Sequence, residues 1–246
     1  GMMTYGNGAL FELMRSFAPD RFNLPWLMGY NNIGGQVCYS LWKSLMFGAR
    51  GAMAFHVPSM INPDFTFAES TEAVVKYLPE IVDGTAKLVL NALAERPAPE
   101  IMIVYSQPSI RSAFIQGRAR EHENLRWKYV MLCRNFGIPF RFVADDQIEK
   151  GMLAEVRPAL VVFPDANALS DGCLKQIGDY VKRGGKVLSE GNFAGMDASC
   201  REIPKRALPP VQRIGQAGSG YYDAWSKPLF QRNENDWKIL DNDRRA

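Results

Sequence analysis

Residues 99–118 read PEIMIVYSQPSIRSAFIQGR, and this stretch decides the fold. Its apolar run Ile101–Tyr105 predicts a buried strand, and the polar residues SQPS that follow predict a loop. A helix is expected over residues 118–136, ending at Gly137. A strand that leads through a loop into a helix begins a βαβ unit, so the stretch predicts a parallel sheet covered by helices.

The same alternation of strands and helices continues downstream. A second strand is predicted at Phe140–Val143, a third at Leu160–Phe163 and a fourth at Lys186–Ser189. Ser170 is expected to cap the helix between the third and fourth strands, and the glycine pair at 184–185 to end it. This order predicts an open parallel sheet of flavodoxin type, in which a ligand would bind at the carboxyl ends of the strands.

The helix over residues 118–136 has one apolar and one polar face. We expect the apolar face to point into the core, with His122 on the polar face and in contact with solvent. The residues expected to point inward are Leu125, Tyr129, Leu132 and Phe136.

The N-terminal part of the chain also contains a strand–helix–strand order. A strand is predicted at Pro25–Tyr30, a helix at Gln36–Phe47 and a further strand at Gly51–His56. Two apolar strands joined by one helix form a βαβ unit, whose strands are parallel and covered on both faces. A second α/β region, shorter than the first, is therefore expected before residues 99–118.

Two helical patterns and an irregular tail complete the sequence. A short helix is expected at residues 8–18, and a long one over 71–95 in which Pro79 should cause a kink or a new start. Residues 201–246 show no regular period and are expected to be an irregular extension. The expected division is 1–97 for the first region, 98–200 for the α/β domain and 201–246 for the extension.

Composition excludes several classes of protein. The chain has 246 residues, of which 47% are hydrophobic and 22% charged, with a net charge of +3, as in an ordinary globular protein. A nearly neutral chain gives little steering toward phosphate, so we expect no nucleic-acid partner. No long apolar stretch or secretory signal is present, so we expect no membrane partner and a cytoplasmic location. The four cysteines are far apart, and we expect no metal and no cofactor.

Several strings of this sequence resemble one known domain. PEIMIVYSQPSIRSAFIQGR, LVVFPDANALSD and YVKRGGKVLSEG are similar to the middle domain of family 42 β-galactosidases, with YSQPS the most specific part. That domain is often called the trimerisation domain, and its fold is flavodoxin-like, of the class I glutamine-amidotransferase type. In the family it follows a (β/α)8 barrel, and residues 1–95 resemble the last two βα units of such a barrel. The resemblance therefore implies a partial TIM-barrel-like βαβ region before the domain.

The resemblance also implies where catalytic carboxylates would lie. These hydrolases need two carboxylates on different barrel strands. The strand of the acid/base would precede this sequence, and the nucleophile is expected near the end of PWLMGYNN, where residues 28–32 contain no carboxylate. We therefore expect that none of the residues in this chain is catalytic. The resemblance implies a glycoside-hydrolase-related (β-galactosidase-like) protein or fragment that lacks a complete pair of catalytic carboxylates. The alternative is a carbohydrate-active enzyme completed by upstream sequence or by a neighbouring subunit.

A sugar-binding site is the first candidate site. Aromatic rings with amide and imidazole groups are a common way to hold a sugar, and such residues lie near the predicted strand ends of the barrel-like region. Packing in the core or in a loop is the alternative interpretation for the aromatic residues, and a structural histidine is the alternative for the imidazole. The candidates are Trp26, Tyr30, Asn31 and His56.

A small-molecule site in the α/β domain is the second candidate. Ser106 and Gln107 follow the first strand of that domain, and Glu190 and Asn192 follow the fourth, where an open sheet binds ligands. Loop capping is the structural alternative. Amidotransferase chemistry would need a cysteine on a sharp strand-to-helix turn, and none of the cysteines lies on one, so the domain would bind without a nucleophile. These cysteines are Cys38, Cys133, Cys173 and Cys200.

Self-association is the third hypothesis, and the resemblance implies it directly. The partners expected are further copies of this chain, with a trimer as the family's state, together with a carbohydrate. Phe114 and Trp127 flank the polar loop, and we expect them to be exposed aromatic residues that anchor an interface.

Overall fold

The computed structural model divides the chain into two compact units, residues 1–97 and residues 98–246. The residues that the structure describes are 2–4, 8–19, 21, 23–28, 34–51, 53–54, 58, 60–92 and 97–214.

The first unit contains a three-stranded parallel sheet in the order β1-β2-β3. Strand β2 (Asn23–Met28) lies in the middle, between β1 (Met2–Thr4) and β3 (Met53–Ala54). Strand β1 was not expected, because three residues are too few to show a period in the sequence. Helix α1 (Gly8–Phe17) connects β1 to β2, and α2 (Gly34–Met46) connects β2 to β3, as the βαβ pattern predicted.

Helices α3 (Glu69–Val82) and α4 (Thr85–Ala92) follow the sheet. Pro79 lies inside α3, which ends at Val82, where the Asp83 N–H donates to Pro79 O at 3.0 Å; the helical pattern restarts at Thr85 rather than at Pro79. A proline removes only its own N–H bond and clashes with the preceding turn, and a helix can absorb both near its end. Leu41, Leu45 and Ala86 form the buried cluster that packs α2 on α4.

The second unit is a five-stranded parallel sheet with helices between its strands. Its strands are β4 (Ile101–Tyr105), β5 (Phe140–Ala144), β6 (Leu160–Pro164), β7 (Lys186–Glu190) and β8 (Gln212–Ile214). Its helices are α5 (Gln107–Ile115), α6 (Ala119–Asn135), α7 (Asp145–Glu149), α8 (Met152–Val156) and α9 (Asp171–Lys182).

The strand order in this sheet is β5-β4-β6-β7-β8, and every pairing is parallel. Ile101 pairs with both Phe140 and Leu160, and Leu160 pairs in turn with Lys186, so the four long strands start level with one another. Their carboxyl ends therefore lie at one edge of the sheet, which we call the carboxyl edge. The opposite edge, where the strands begin, is the amino edge.

The core of the second unit lies between the sheet and its helices. Val161 and Phe163 on β6 are fully buried, and the Phe163 ring meets Phe193 edge-on with centroids 5.3 Å apart. Ile177 of α9 packs on the same cluster. The Ser170 cap predicted for α9 is present, since Ser170 Oγ accepts a hydrogen bond from the Cys173 N–H at 3.0 Å.

Several expectations about the helices of this unit are wrong. The predicted SQPS loop is not a loop, because α5 starts at Gln107, immediately after Ser106. Phe136 is 57% exposed rather than inward, since it lies past the end of α6. Trp127 is half-buried rather than exposed. His122 is only 3% exposed although we placed it on the polar face.

The expectation that residues after 200 form an irregular extension is also wrong in part. Gln212–Ile214 form strand β8, which pairs with β7 from Leu188 to Glu190. Arg206 fastens the preceding segment to the domain by donating to Leu169 O at 2.8 Å and Met196 O at 2.7 Å. A strand of three residues is too short to show an alternating pattern of apolar residues, and its pairing with a strand already in the sheet stabilises it. The sequence therefore did not reveal β8.

Candidate functional site

The carboxyl edge of the second unit is where the four candidate residues of the α/β domain lie. Ser106 and Gln107 follow β4, whereas Glu190 ends β7 and Asn192 comes two residues later. Strand β6 lies between β4 and β7, so the two pairs are separated by the end of that strand. The residues that follow β6 therefore lie between the two pairs and determine which polar groups meet at this edge.

Ser106 acts as a helix cap and as a tie between two loops. It is buried, its hydroxyl donates to Ala168 O at 3.1 Å, and the same oxygen accepts from the Ser109 N–H at 3.3 Å. Ser109 repeats the contact, donating to Ala168 O at 2.8 Å and accepting from the Ala168 N–H at 3.0 Å. Gln107, at the first position of α5, is exposed. The Ser106 hydroxyl is thus committed to capping α5 and holding the loop after β6.

Asp165, directly after β6, is the centre of a polar cluster. Its side chain is buried, and Oδ2 accepts from Arg118 Nη1 at 3.0 Å. Its Oδ1 accepts from both the N–H and the Nδ2 of Asn192, each at 3.0 Å. The Asp165 N–H donates to Glu190 O at 2.7 Å. Asp165 has a positive φ of 45°, a conformation that aspartate tolerates better than most residues.

His122 completes this cluster from α6. Its Nδ1 lies 3.5 Å from Asp165 Oδ2, at the far limit of a hydrogen bond, and neither ring nitrogen has a well-aligned partner among the residues that the structure describes. Burial by itself would raise the pKa of the Asp165 carboxyl group. The His122 ring, the Asn192 N–H and the Arg118 guanidinium outweigh that effect and hold the pKa below its usual value. Asp165 is therefore a carboxylate at neutral pH.

Glu190 forms a second, fully closed cluster at the end of β7. It is 0% exposed, and each carboxylate oxygen accepts from Lys128 Nζ at 2.8 Å. Its Oε2 also accepts from the Tyr129 hydroxyl at 2.5 Å. Lys128 and Tyr129 both belong to α6, so this helix supplies the ammonium and the hydroxyl that bind Glu190, and its His122 lies beside Asp165.

These two clusters tie α6 to the sheet. A carboxylate saturated by an ammonium and a phenol, as Glu190 is, has no lone pair directed at solvent and is a poor general base. Only the Asp165 cluster reaches the surface, through the exposed Asn192 and the Arg118 side chain, which is 26% exposed. The arrangement rigidifies the edge and presents a guanidinium and an amide to solvent.

The cysteines of the described residues lack the features of a nucleophile. Cys133 and Cys173 are buried in helices α6 and α9. Burial raises the pKa of the Cys133 thiol to about 12 and raises that of Cys173 as well, so both thiols stay protonated at neutral pH. Cys200 donates its thiol hydrogen to Pro108 O at 3.4 Å, and the pKa of Cys38 is raised by burial.

The sugar-binding candidates fall almost entirely outside the described residues. Trp26 lies in β2, where its backbone pairs in register with Met53 of β3, but its side chain is not described. Tyr30, Asn31 and His56 all lie outside the described residues.

Neither a metal cluster nor a membrane span is found in the described part of the chain. Among those residues no group of three histidine, cysteine, aspartate or glutamate side chains is placed to hold a metal ion. Over the same residues, no helix is long and apolar enough to cross a membrane.

Sequence reasoning missed most members of the two polar clusters. One usable signal was Asp165 itself, a carboxylate that directly follows the buried strand LVVFP. A second was spacing, because His122, Leu125 and Tyr129 follow one another at intervals of three and four and so share a helix face. The buried stripe of α6 therefore includes His122, which its polar chemistry had placed on the polar face.

Known structures resemble this chain even though its sequence does not reveal close relatives. No family model matches the sequence, and no curated protein is similar to it. An exo-carrageenase of family GH42 from Bacteroides ovatus matches 96% of this chain with a TM-score of 0.57 and 10% identity. A β-galactosidase from Marinomonas ef1 matches 82% with a TM-score of 0.56 and 18% identity. A GH42 β-galactosidase from G. stearothermophilus matches 80% with a TM-score of 0.58 and 13% identity.

This likeness concerns the fold and only part of each known structure. The match covers 32%, 34% and 31% of those three proteins, so the chain spans about a third of their length.

Proposed function

We propose that this chain is a glycoside-hydrolase-related protein, similar to the family 42 β-galactosidases, and that its second unit mediates self-association. One observation carries the proposal: the two GH42 matches described above cover 96% and 80% of the chain, so both extend over parts of both units. A sheet-and-helix domain alone would resemble many unrelated proteins, whereas the succession of two such units is far more restrictive.

The topology of each unit supports this interpretation. Counted in chain order within the second unit, the sheet runs 2-1-3-4-5, the order of flavodoxin-like folds. In the first unit, three parallel strands linked by α1 and α2 are what a segment of a (β/α)8 barrel contains. We accordingly interpret residues 1–97 as a partial TIM-barrel-like region and the second unit as a trimerisation-type domain, whose sheet extends past the expected end at residue 200 to include β8.

Carbohydrate contact is part of the proposal. In a parallel barrel, substrates bind at the carboxyl ends of the strands. Met28 and Ala54 are paired at the ends of β2 and β3. Tyr30 and Asn31 follow Met28 within three positions of the sequence, and His56 follows Ala54 by two, which supports them as sugar contacts.

The purified chain is expected to lack glycosidase activity. Glycoside hydrolysis needs two carboxylates about 5–10 Å apart, and residues 28–32, where the resemblance would place the nucleophile, contain none. Incubation with a nitrophenyl β-galactoside should therefore release nitrophenol no faster than buffer does. The control is the same assay with an active β-galactosidase added to the chain, which excludes inhibition by the preparation.

A second candidate is an enzyme completed by upstream sequence or by a neighbouring subunit. It is favoured by the observation that the chain spans only about a third of its structural neighbours. Turnover that elutes with the oligomer on size exclusion and disappears on dilution to monomer would favour completion by a subunit. Turnover that stays with the monomer would contradict the proposed loss of chemistry.

Self-association is expected to depend on the apolar end of α5. Phe114 and Ile115 are 75% and 74% exposed, and exposed apolar neighbours of this size are typical of interfaces. We expect light scattering at high micromolar concentration to give a multiple of the monomer mass, and Phe114→Asp to shift it toward the monomer. Phe136→Asp is the matched control, since Phe136 is also exposed but lies at the far end of α6. A monomeric native chain would contradict the proposal.

A further inference from the structure

A short hairpin between β3 and α3 presents an aromatic ring to solvent. We call residues 60–68 the aromatic hairpin, and its two arms meet at an antiparallel bridge between Ile61 and Phe67. Phe65, at its tip, is 90% exposed, more than any other large hydrophobic residue that the structure describes. Phe67 beside it is 50% exposed. The hairpin therefore carries apolar surface that the described part of the chain does not cover.

The tip of the aromatic hairpin is fixed by hydrogen bonds within the turn. The Phe65 N–H donates to Asn62 O at 2.9 Å, which closes the turn over Pro63 and Asp64. The Thr66 hydroxyl donates to Asp64 Oδ1 at 2.6 Å, and the Thr66 N–H donates to the same oxygen at 3.1 Å. Asn62 Nδ2 donates to Thr66 Oγ1 at 3.0 Å. A turn held in this way loses little conformational entropy when a ligand binds to it.

The stability of the hairpin does not explain the choice of phenylalanine at position 65. Phe65 has a positive φ of 64°, which glycine or asparagine usually supplies after such a turn and which is strained for a bulky residue. Its ring also stays in water, so burial of apolar surface does not offset the strain. Residues held in strained conformations cluster where a protein holds a ligand.

The aromatic hairpin lies on the carboxyl side of the three-stranded sheet. It follows β3 in the chain, and α3 begins directly after it. The Cys38 thiol, in the second turn of α2, donates to Ala73 O of α3 at 3.8 Å. Since α2 begins where the chain leaves the carboxyl end of β2, the start of α3 lies on that side as well. This is the side on which a parallel barrel binds its substrates.

Asp64 places a negative charge next to the exposed ring in the sequence. Its carboxylate is exposed, and the hydrogen bonds from Thr66 hold its pKa below the usual value, so it is ionised at neutral pH. An aromatic face packs against the apolar C–H face of a sugar, and a carboxylate accepts hydrogen bonds from hydroxyl groups. The same carboxylate repels ligands that carry a negative charge.

We propose that the aromatic hairpin is a stacking platform for a neutral sugar, with Phe65 against the sugar ring and Asp64 accepting from its hydroxyl groups. This inference rests on the proposed function, to which it adds the residues that contact the sugar and the charge class of that sugar.

Titration calorimetry of the full chain with millimolar lactose tests the proposal. Phe65→Asn should weaken binding about fivefold or more, because the stacked ring is lost. The same substitution should leave the midpoint of urea unfolding unchanged or raise it, since asparagine adopts a positive φ readily. Phe65→Tyr keeps the ring and should bind as the native chain does. Phe136→Asn, at an exposed phenylalanine of the second unit, is the matched control and should leave lactose binding unchanged.

Asp64→Asn tests the charge class of the sugar. At low ionic strength the native chain should bind galactose about twofold or more tightly than galactose 6-sulfate, and the variant should reduce that difference. Asparagine can still accept from Thr66, so the turn should persist.

Three outcomes would overturn this inference and leave the proposed function in place. They are equal lactose binding by Phe65→Asn and the native chain, a lower unfolding midpoint for Phe65→Asn, and a change in its mass by light scattering with lactose binding unchanged. The second would show that the ring packs within the fold, and the third that the tip contacts another copy of the chain. Absence of lactose binding by the native chain would instead contradict the carbohydrate contact of the proposed function itself, and this inference with it.

Discussion

Replacing Glu190 with alanine is expected to lower the free energy of unfolding by about 3–5 kcal/mol, the largest effect of any single substitution that we foresee. The Glu190 side chain is fully buried and accepts hydrogen bonds from Lys128 and Tyr129. Its removal leaves a buried ammonium without this carboxylate, in surroundings where a charge is poorly solvated. Urea unfolding followed by circular dichroism measures the loss as a fall in the midpoint.

The matched control for Glu190→Ala is Asp146→Asn. Asp146 also pairs with a lysine, Lys150, at 3.3 Å, but both side chains are mostly exposed, at 63% and 77%. Exposed ion pairs contribute little, so this variant should change the unfolding midpoint hardly at all. Equal effects of the two substitutions would show that the Glu190 cluster does not hold α6 on the sheet.

A double variant separates the charge from the packing at the Glu190 cluster. Combining Glu190→Gln with Lys128→Met removes both charges while glutamine can still accept from Tyr129. Buried ion pairs are often replaceable by uncharged groups of similar volume. We therefore expect the double variant to be more stable than Glu190→Ala. A double variant as unstable as the single one would indicate that shape, not charge, dominates the cluster.

Asp165→Asn is expected to cost about 2–3 kcal/mol at neutral pH, the second largest effect. It removes the charge that pairs with Arg118 and weakens the bonds from Asn192. Asparagine retains the volume of the side chain and also tolerates the positive φ at this position, so the change tests charge and not backbone strain.

The effect of Asp165→Asn should depend on pH. Since the folded protein holds the pKa of Asp165 below its usual value, the charge stabilises the fold at every pH above the ordinary carboxyl pKa of about 3.9. This contribution is lost as the pH falls through the lowered pKa of the folded state. The stability difference between the native chain and the variant should thus be constant near neutrality and shrink below about pH 4. A difference that grows on acidification would contradict this account.

The sequence by itself determined four of the five strands and several helix ends of the second unit. Ile101–Tyr105 was located with both of its ends, because a buried parallel strand is a continuous apolar run bounded by polar residues. The Ser170 cap was located for a similar reason, since a serine before an amphipathic run satisfies N–H groups that have no partner within the helix. Such features depend on neighbours in the chain and can be read without knowledge of the fold.

Only the tertiary structure decided which polar residues are buried. His122 and Lys128 belong to one helix and look solvated in the sequence, yet Asp165 and Glu190 meet them at the ends of β6 and β7. The same holds for β8, which is a strand because β7 offers it an edge. The local sequence pattern determines whether a segment forms a helix or a strand. A buried charge, however, is stable only where the fold places an oppositely charged partner beside it, and that partner is distant in the sequence.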